Sequence, residues 1–216
     1  MKKVALIVAG GKGGRMNADV PKQFLLLNGL PILMHAIKQF SHFEKIVLVL
    51  PNTQFENWEA LCKQYNFTQK HTLVAGGLSR FGSVKNGLIE IEDDCIVAIH
   101  DGVRPLVSKH LIDKLIATTK KGIGIVPVVS VTDSLRKVDG NNSKAVGRSS
   151  LYRVQTPQCF FAKTIKDAYK QNFSLFFTDD ASVLESNGGK IRTIQGEEKN
   201  LKITTEKDLK IAETLL

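Results

Sequence analysis

Short runs of β-branched and other apolar residues alternate along the chain with stretches whose apolar positions recur at helical spacing. The first run, VALIV over 4–8, predicts a strand, and the spacing over 33–40 predicts a helix. A second strand is expected at 46–50, a helix at 55–65, and a short strand at 72–74. The stretch SVKNGLIEI then predicts a helix, and DCIVAIHDG a strand whose polar end carries His100 and Asp101. SKHLIDKLIATTK begins with a capping serine and continues with helical apolar spacing, and GIGIVPVV is another strand. These strands are apolar on both sides. That pattern belongs to a mainly parallel sheet covered by helices on both faces, a Rossmann-like α/β fold.

The alternation breaks over 131–155, where VTDSLRKV and SKAVGRSSLYRVQ flank an Asp-Gly turn. Two strands of mixed polarity around such a turn predict a β-hairpin arm projecting from the sheet. Beyond it the pattern predicts a helix over 162–169, a helix opened by TDDASVLESNGG, a strand KIRTIQ, a short NLKIT segment and a terminal helix with a threonine cap. Nothing resembles a linker, a repeat or a low-complexity tract. The expectation is one domain spanning 1–216, with the arm as a dimerisation and substrate element.

Composition changes this picture little. The chain has 216 residues, 43% hydrophobic and 24% charged, inside the roughly 100–250 residues that one core commonly serves. The apolar runs fall well short of the ~20 residues that span a bilayer, and the first residues reach glycines too early for a secretory signal. A cytoplasmic protein with no membrane partner is expected. Cys62, Cys95 and Cys159 are odd in number and widely spaced, which fits free, packed thiols in a reducing compartment. The net charge of +9 favours anionic partners. The lysines are dispersed and no nucleic-acid-binding signature accompanies them, so a phosphate-bearing small molecule is expected rather than nucleic acid.

The first strand runs into AGGKGGRM. Glycines let backbone N–H groups face a ligand without an intervening Cβ, which suits a phosphate cradle as well as a plain tight turn. Neither a Walker A loop nor a GxGxxG fingerprint is present, since Met16 falls where the third glycine would be. Arg15 and Lys22 on the same connection supply the two side chains that bind phosphate best. Together they point to a polyphosphate.

AGGKGGRM with PKQF is similar to the signature loop of nucleotidyltransferases that join a nucleoside triphosphate to a phosphorylated sugar or polyol. With HDGVRPLVS, VTDSLRKV, GRSSLYRVQTPQCF, FTDDASVLE and NLKITTEKDLKIAETLL in order, essentially the whole chain resembles the 2-C-methyl-D-erythritol 4-phosphate cytidylyltransferases. The resemblance implies transfer of CMP from CTP to the polyol phosphate with release of pyrophosphate. It implies that Ala9, Gly10, Gly11 and Gly13 wrap the cytosine and triphosphate, that Gly77 and Ser83 meet the base and ribose, and that Arg15, Lys22 and Lys202 are catalytic. It also implies Asp101 at the ribose and a magnesium or other divalent ion, with Arg104 beside it. The family's homodimer, in which each arm reaches the neighbour's site, implies that Ser134, Arg136 and Arg148 grip the polyol phosphate and that Thr156 helps complete its pocket. Ser134 stands where threonine is usual and keeps the hydroxyl.

The chemistry implied needs no strong base, because a phosphate monoester oxygen is already ionised near neutral pH. His100 is therefore expected to be a strand-end histidine held by hydrogen bonds. Asp101 as a turn former and Arg136 as a plain exposed charge on the hairpin remain open beside their functional readings. Asp179 and Asp180 are expected to cap a helix, and Trp58 to pack. His35, His42, His71 and His110 lack metal-ligand spacing. Two rival functions stay open: cytidylyl transfer to ribitol 5-phosphate, and a catalytically silent nucleotide- or RNA-binding module.

Overall fold

The computed structural model describes residues 1–10 and 20–216. The strand β1, Lys2–Val8, occupies the middle of an eight-stranded sheet. A 3-10 turn at Lys22–Phe24 and a small hairpin of β2, Leu26–Leu27, with β3, Leu30–Pro31, lead into α1, Ile32–Lys38. Then follow β4, Lys45–Leu50, α2, Phe55–Gln64, and β5, Thr72–Ala75. The chain continues through α3, Arg80–Ile89, β6, Cys95–Asp101, α4, Lys109–Thr118, and β7, Ile123–Ser130. The arm comprises β8, Leu135–Asp139, and β9, Asn142–Val146. After it come β10, Tyr152–Val154, β11, Gln158–Phe161, α5, Ala162–Ala168, α6, Asp180–Ser186, β12, Lys190–Gln195, and α7, Glu206–Leu215.

β1 pairs in parallel with β4 on one side and β6 on the other, and β4 in turn pairs with β5. The chain thus steps outward from β1 twice and then returns to its other flank. Crossovers leaving the adjacent strands β1 and β6 in opposite directions open a crevice at their carboxyl ends, where open α/β sheets bind ligands. The register sets Val8 beside Asp101, so the residues that leave β1 start out beside the acidic end of β6.

Alternating residues of each strand feed two cores. Ala5, Ile7, Ile46, Leu48 and Ala98 point to one face, against Leu33 and Ile37 of α1, Trp58 of α2 and Leu111 of α4. Val4, Leu6, Val47, Val49 and Val97 point to the other, against Val84 and Leu88 of α3, Ile165 of α5 and Val183 of α6. Each fully buried aliphatic side chain contributes about 1.5–3 kcal/mol. Side-chain caps end the helices as the sequence predicts: Ser108 accepts from the Leu111 N–H at 3.0 Å, and Asp179 with Ser182 and Thr205 with Asp208 form capping boxes.

Three elements differ from expectation. β11 is a strand, antiparallel to β6, where the sequence pattern gave only the TPQ turn. It was hidden because its four residues run directly into α5, leaving no turn to mark its end. The second arm strand stops at Val146, and Tyr152–Val154 instead pairs with β7 in the central sheet. Val154 faces Val128 while Cys159 faces Ile125, so five residues of one strand span three of the other, a bulge carrying the cis Thr156–Pro157 peptide. The NLKIT segment is irregular, tied down by the Ile203 N–H bonding the Val103 carbonyl at 2.9 Å.

Candidate active site

Three strand ends build the crevice. The Ala9 N–H bonds the Val49 carbonyl, the Gly102 N–H bonds the Val8 carbonyl, and the Gly76 N–H bonds the Leu50 carbonyl, at 2.9, 2.9 and 2.8 Å. The chain then turns into α3, whose N-cap Ser79 accepts from the Gly82 N–H at 3.0 Å. Buried Ser83 accepts from the Gly77 N–H at 3.1 Å, closing the turn on itself. Only glycine fits at 77, since a Cβ there would stand 2.8 Å from the Gly82 carbonyl carbon. The Ser83 hydroxyl still has its own proton to give.

Asp101 stands at the centre. Its carboxylate meets Lys202 at 3.0 Å, the Arg104 Nε at 3.3 Å and the Arg80 Nε at 3.6 Å. Burial alone would favour the neutral acid, but the charges of Arg80, Lys202 and Arg104 outweigh it and hold the carboxyl well below the usual carboxylate range. With Asp180 paired to Arg80 behind the cluster, the three cations exceed the two carboxylates by one charge, a field that favours an incoming polyphosphate.

The residues behind this cluster are the ones sequence reasoning missed. Arg80 lies in the first turn of α3, where a cation opposes the helix dipole. That misplacement was the available signal that a buried acid compensates it. The acid is Asp180, fully buried, which receives two bonds from the Arg80 guanidinium at 3.0 and 2.7 Å and one from the Tyr169 hydroxyl at 2.6 Å. Burial opposes the Arg80 charge, yet Asp180 and Asp101 more than offset it, and the guanidinium is raised above its ordinary value. Only Asp179 caps α6 with its side chain; the expectation that Asp180 shares that job is corrected by this pairing.

His100 takes the structural role expected of it. The Arg104 carbonyl accepts from Nε2 at 3.0 Å, so Nδ1 is left to accept from the Thr156 hydroxyl at 3.1 Å, while the Thr156 oxygen accepts from the Asp101 N–H at 3.0 Å. Burial lowers its pKa to about 4, keeping the imidazole neutral. Arg104 is clamped by Asp101 and by the Asn200 carbonyl at 2.9 Å, and burial pulls it below its ordinary value against the attraction of Asp101. Arg104 therefore orders the wall as much as it lines it.

Two adjoining cavities share Asp101, Arg80 and Lys202. One, about 220 Å3, is lined by Ala9, Gly10, Lys22, Gly77 and Ser83 as well. The other, about 240 Å3, adds Arg104, Thr156 and Thr178. A larger hollow of about 600 Å3 beside Phe43, Lys45 and Tyr65 lies at the opposite strand ends, since Lys45 sits beside Val4 whereas Asp101 sits beside Val8. It holds none of this chemistry. Gly11, Gly13 and Arg15 lie outside the described residues.

The arm is not brought to these cavities by its own chain. Ser134 is exposed, Arg136 bonds the Ser143 hydroxyl and carbonyl across the ribbon at 2.9 and 3.1 Å, and Arg148 bonds the Thr132 carbonyl. Among the described residues no group of three or more His, Cys, Asp or Glu could hold a metal. The described residues by themselves therefore supply no cage for a resident ion. A divalent ion that arrives on a triphosphate does, because one carboxylate plus substrate phosphates suffices for magnesium, and Asp101 is the one acidic residue lining the 220 Å3 cavity among the described residues.

Comparisons with known proteins agree over the full length. A sequence model of the family described as IspD: 2-C-methyl-D-erythritol 4-phosphate cytidylyltransferase matches residues 3–216. The 2-C-methyl-D-erythritol 4-phosphate cytidylyltransferase of Azobacteroides pseudotrichonymphae is 49% identical, covering 100% of this chain and 99% of that protein. The protein of the same name from Porphyromonas gingivalis is 47% identical over 100% of this chain and 98% of its own. The crystal structure of the Francisella tularensis protein of that name superposes with a TM-score of 0.83 at 30% identity, covering 100% of both chains.

Proposed function

The chain belongs to the 2-C-methyl-D-erythritol 4-phosphate cytidylyltransferase family, and from that premise we propose how its residues divide the labour between the two cavities around Asp101. It is an enzyme of non-mevalonate isoprenoid synthesis: CMP passes from CTP to 2-C-methyl-D-erythritol 4-phosphate, and pyrophosphate leaves. The acceptor phosphate, with a second pKa of about 6, offers an ionised oxygen at neutral pH. Its bond to the α-phosphorus forms as the bond from that phosphorus to the pyrophosphate oxygen breaks, so charge grows on the equatorial and leaving oxygens.

In this reading the nucleotide takes the cavity of Ala9, Gly10, Gly77 and Ser83, with Gly11 and Gly13 completing the loop. Arg15 and Lys22 hold the phosphates, and Lys202 adds positive charge where the reacting phosphorus sits. Asp101 keeps Lys202 and both arginines oriented. Asp101 would hold the magnesium that comes with the triphosphate, and the ion would supply neutralisation of phosphate charge there. The polyol phosphate takes the cavity of Arg104 and Thr156.

Ser134, Arg136 and Arg148 grip that phosphate from the arm of a second copy. Support comes from their exposure and from the apolar residues Val138, Tyr152 and Val154 left 67%, 50% and 46% exposed on or near the ribbon. We therefore take the working unit to be a homodimer of single-domain chains, acting in the cytoplasm without nucleic acid. No helix among the described residues is long and apolar enough to cross a membrane.

The observation that carries this reading is the carboxylate of Asp101 bound to three cations on the wall between two cavities. Pyrophosphate release with CTP and magnesium, comparing 2-C-methyl-D-erythritol 4-phosphate with D-ribitol 5-phosphate at matched concentrations, tests it. Preference for the first is expected. Preference for the second moves the acceptor to another polyol phosphate, and silence with both ends the reading.

A further inference from the structure

One buried amide on the nucleotide side has no task in the division above. Gln23 lies in the 3-10 turn between Lys22 and Phe24, is 2% exposed, and lines the cavity with Ala9, Gly10 and Asp101. Its Oε1 is buried with no hydrogen-bond partner among the described residues. The turn cannot easily swing to find one. The Phe24 N–H bonds the Pro21 carbonyl at 2.8 Å, and the Phe24 ring stacks on fully buried Trp58 with centroids 6.0 Å apart.

A buried acceptor without a donor destabilises the fold that contains it, and native proteins keep few. Asn200 Oδ1 is in the same condition, but Asn200 lines neither of the two cavities around Asp101. Gln23 does line one, so with a rotation of its terminal amide toward that cavity the missing donor can arrive with the ligand. The triphosphate of CTP offers only acceptors, which leaves the exocyclic amino group of cytosine and the two ribose hydroxyls. We infer that Gln23 Oε1 accepts a hydrogen bond from the cytidine part of CTP, which makes Gln23 a specificity-determining residue for the nucleoside. A site with a buried acceptor rejects a nucleotide lacking the matching donor, because the acceptor then stays unpaired and dry.

The inference rests on the CTP reading, so the experiment begins with the parent protein. Calorimetric titration of the parent with CTP, UTP, 2′-deoxy-CTP and 3′-deoxy-CTP is compared with titration of Gln23→Met, a side chain of similar length without the acceptor. The variant is expected to melt at or above the parental temperature, since an apolar group replaces an unsatisfied one, and to bind CTP about tenfold more weakly. One analogue alone should bind parent and variant equally, and it identifies the donor: UTP for the amino group, either deoxy nucleotide for the corresponding hydroxyl. Unchanged affinity for all four, or one uniform loss across all four, overturns the inference. A parent that binds no cytidine nucleotide instead ends the CTP reading, and the role of Gln23 with it. Gln23→Leu repeats the comparison if the Met variant does not fold.

Discussion

Arg80 and Asp180, 100 positions apart in the chain, meet through two parallel hydrogen bonds of 3.0 and 2.7 Å. The pair joins α3, which carries the turn of Gly77 and Ser83, to α6 on the same face of the sheet. Its guanidinium also reaches Asp101 at 3.6 Å. One arginine thus connects a fully buried structural acid to the acid at the centre of the site.

Replacing Asp180 with Asn keeps the shape and removes the charge. Arg80 then loses its main counterion while 30% of its side chain stays in contact with solvent. The expected cost is about 2–3 kcal/mol, toward the low end for a broken buried pair. Urea unfolding measures it. The double variant Asp180→Asn with Arg80→Met should recover much of that stability but not turnover, because Asp101 would still lack one of its three cations. Full recovery of both would show that Arg80 serves the fold alone.

His100 gives the fold a dependence on acid. Its pKa is lowered by burial to about 4, against about 6.5 in an unfolded chain. Between those values the unfolded state binds the extra proton, so stability rises with pH across the window and is lost as pH falls from about 6.5 to 4. The full shift corresponds to about 3 kcal/mol. Urea midpoints at pH 7.5 and pH 4.5 measure the loss, and His100→Gln should flatten the slope in that window. Asp101 acts lower. Its depressed value keeps its contribution present above the unfolded carboxylate range, to be lost only under stronger acid.

Much of this architecture was legible because local pattern and global position agree. The run IVLVL in β4 is buried on both faces, and the chain around it alternates strand and helix, so parallel pairing followed directly. Asp101 could be found because its neighbours carry a resemblance. Arg80 gives only the faint signal of a cation at a helix start, and Asp180 looks like a capping charge, so only the fold could pair them. β11 was missed for the opposite reason: Cys159 and Phe160 look apolar enough for either element, and nothing between them and α5 breaks the pattern. Gln23 gives no sign in sequence, because an unpartnered atom is a property of the packed state.

Gly77→Ala tests the turn that supports the nucleotide cavity. The added methyl would stand 2.8 and 2.9 Å from backbone atoms of Gly82, which belong to the first turn of α3 and cannot move aside cheaply. A destabilisation of about 1–3 kcal/mol is expected, the range of an overpacked site. Weaker CTP binding should accompany it, measured by calorimetric titration. Gly147→Ala has open space around the new methyl and should change stability by less than about 0.5 kcal/mol. A Gly77 variant as stable as the Gly147 variant would mean that the turn yields without strain.

Lys22→Ala and Arg148→Ala together decide whether the arm works across a dimer. Lys22 lines the cavity of its own chain, whereas Arg148 is exposed and its side chain bonds the Thr132 carbonyl. Each variant alone is expected to fold and to lose about 100-fold or more in turnover, as when one group stabilising developing phosphate charge is removed. Mixed and allowed to exchange subunits, half of the dimers become heterodimers. In each of these, one site combines an intact Lys22 with an intact Arg148 from the opposite copy, and the other site lacks both. Activity should therefore return to about a quarter of the parental value under random pairing of a symmetric dimer. A site built within one chain cannot regain activity this way, because every chain in the mixture carries one lesion. Recovery on mixing, measured by pyrophosphate release and lost again on dilution to monomer, is the result expected of a shared site.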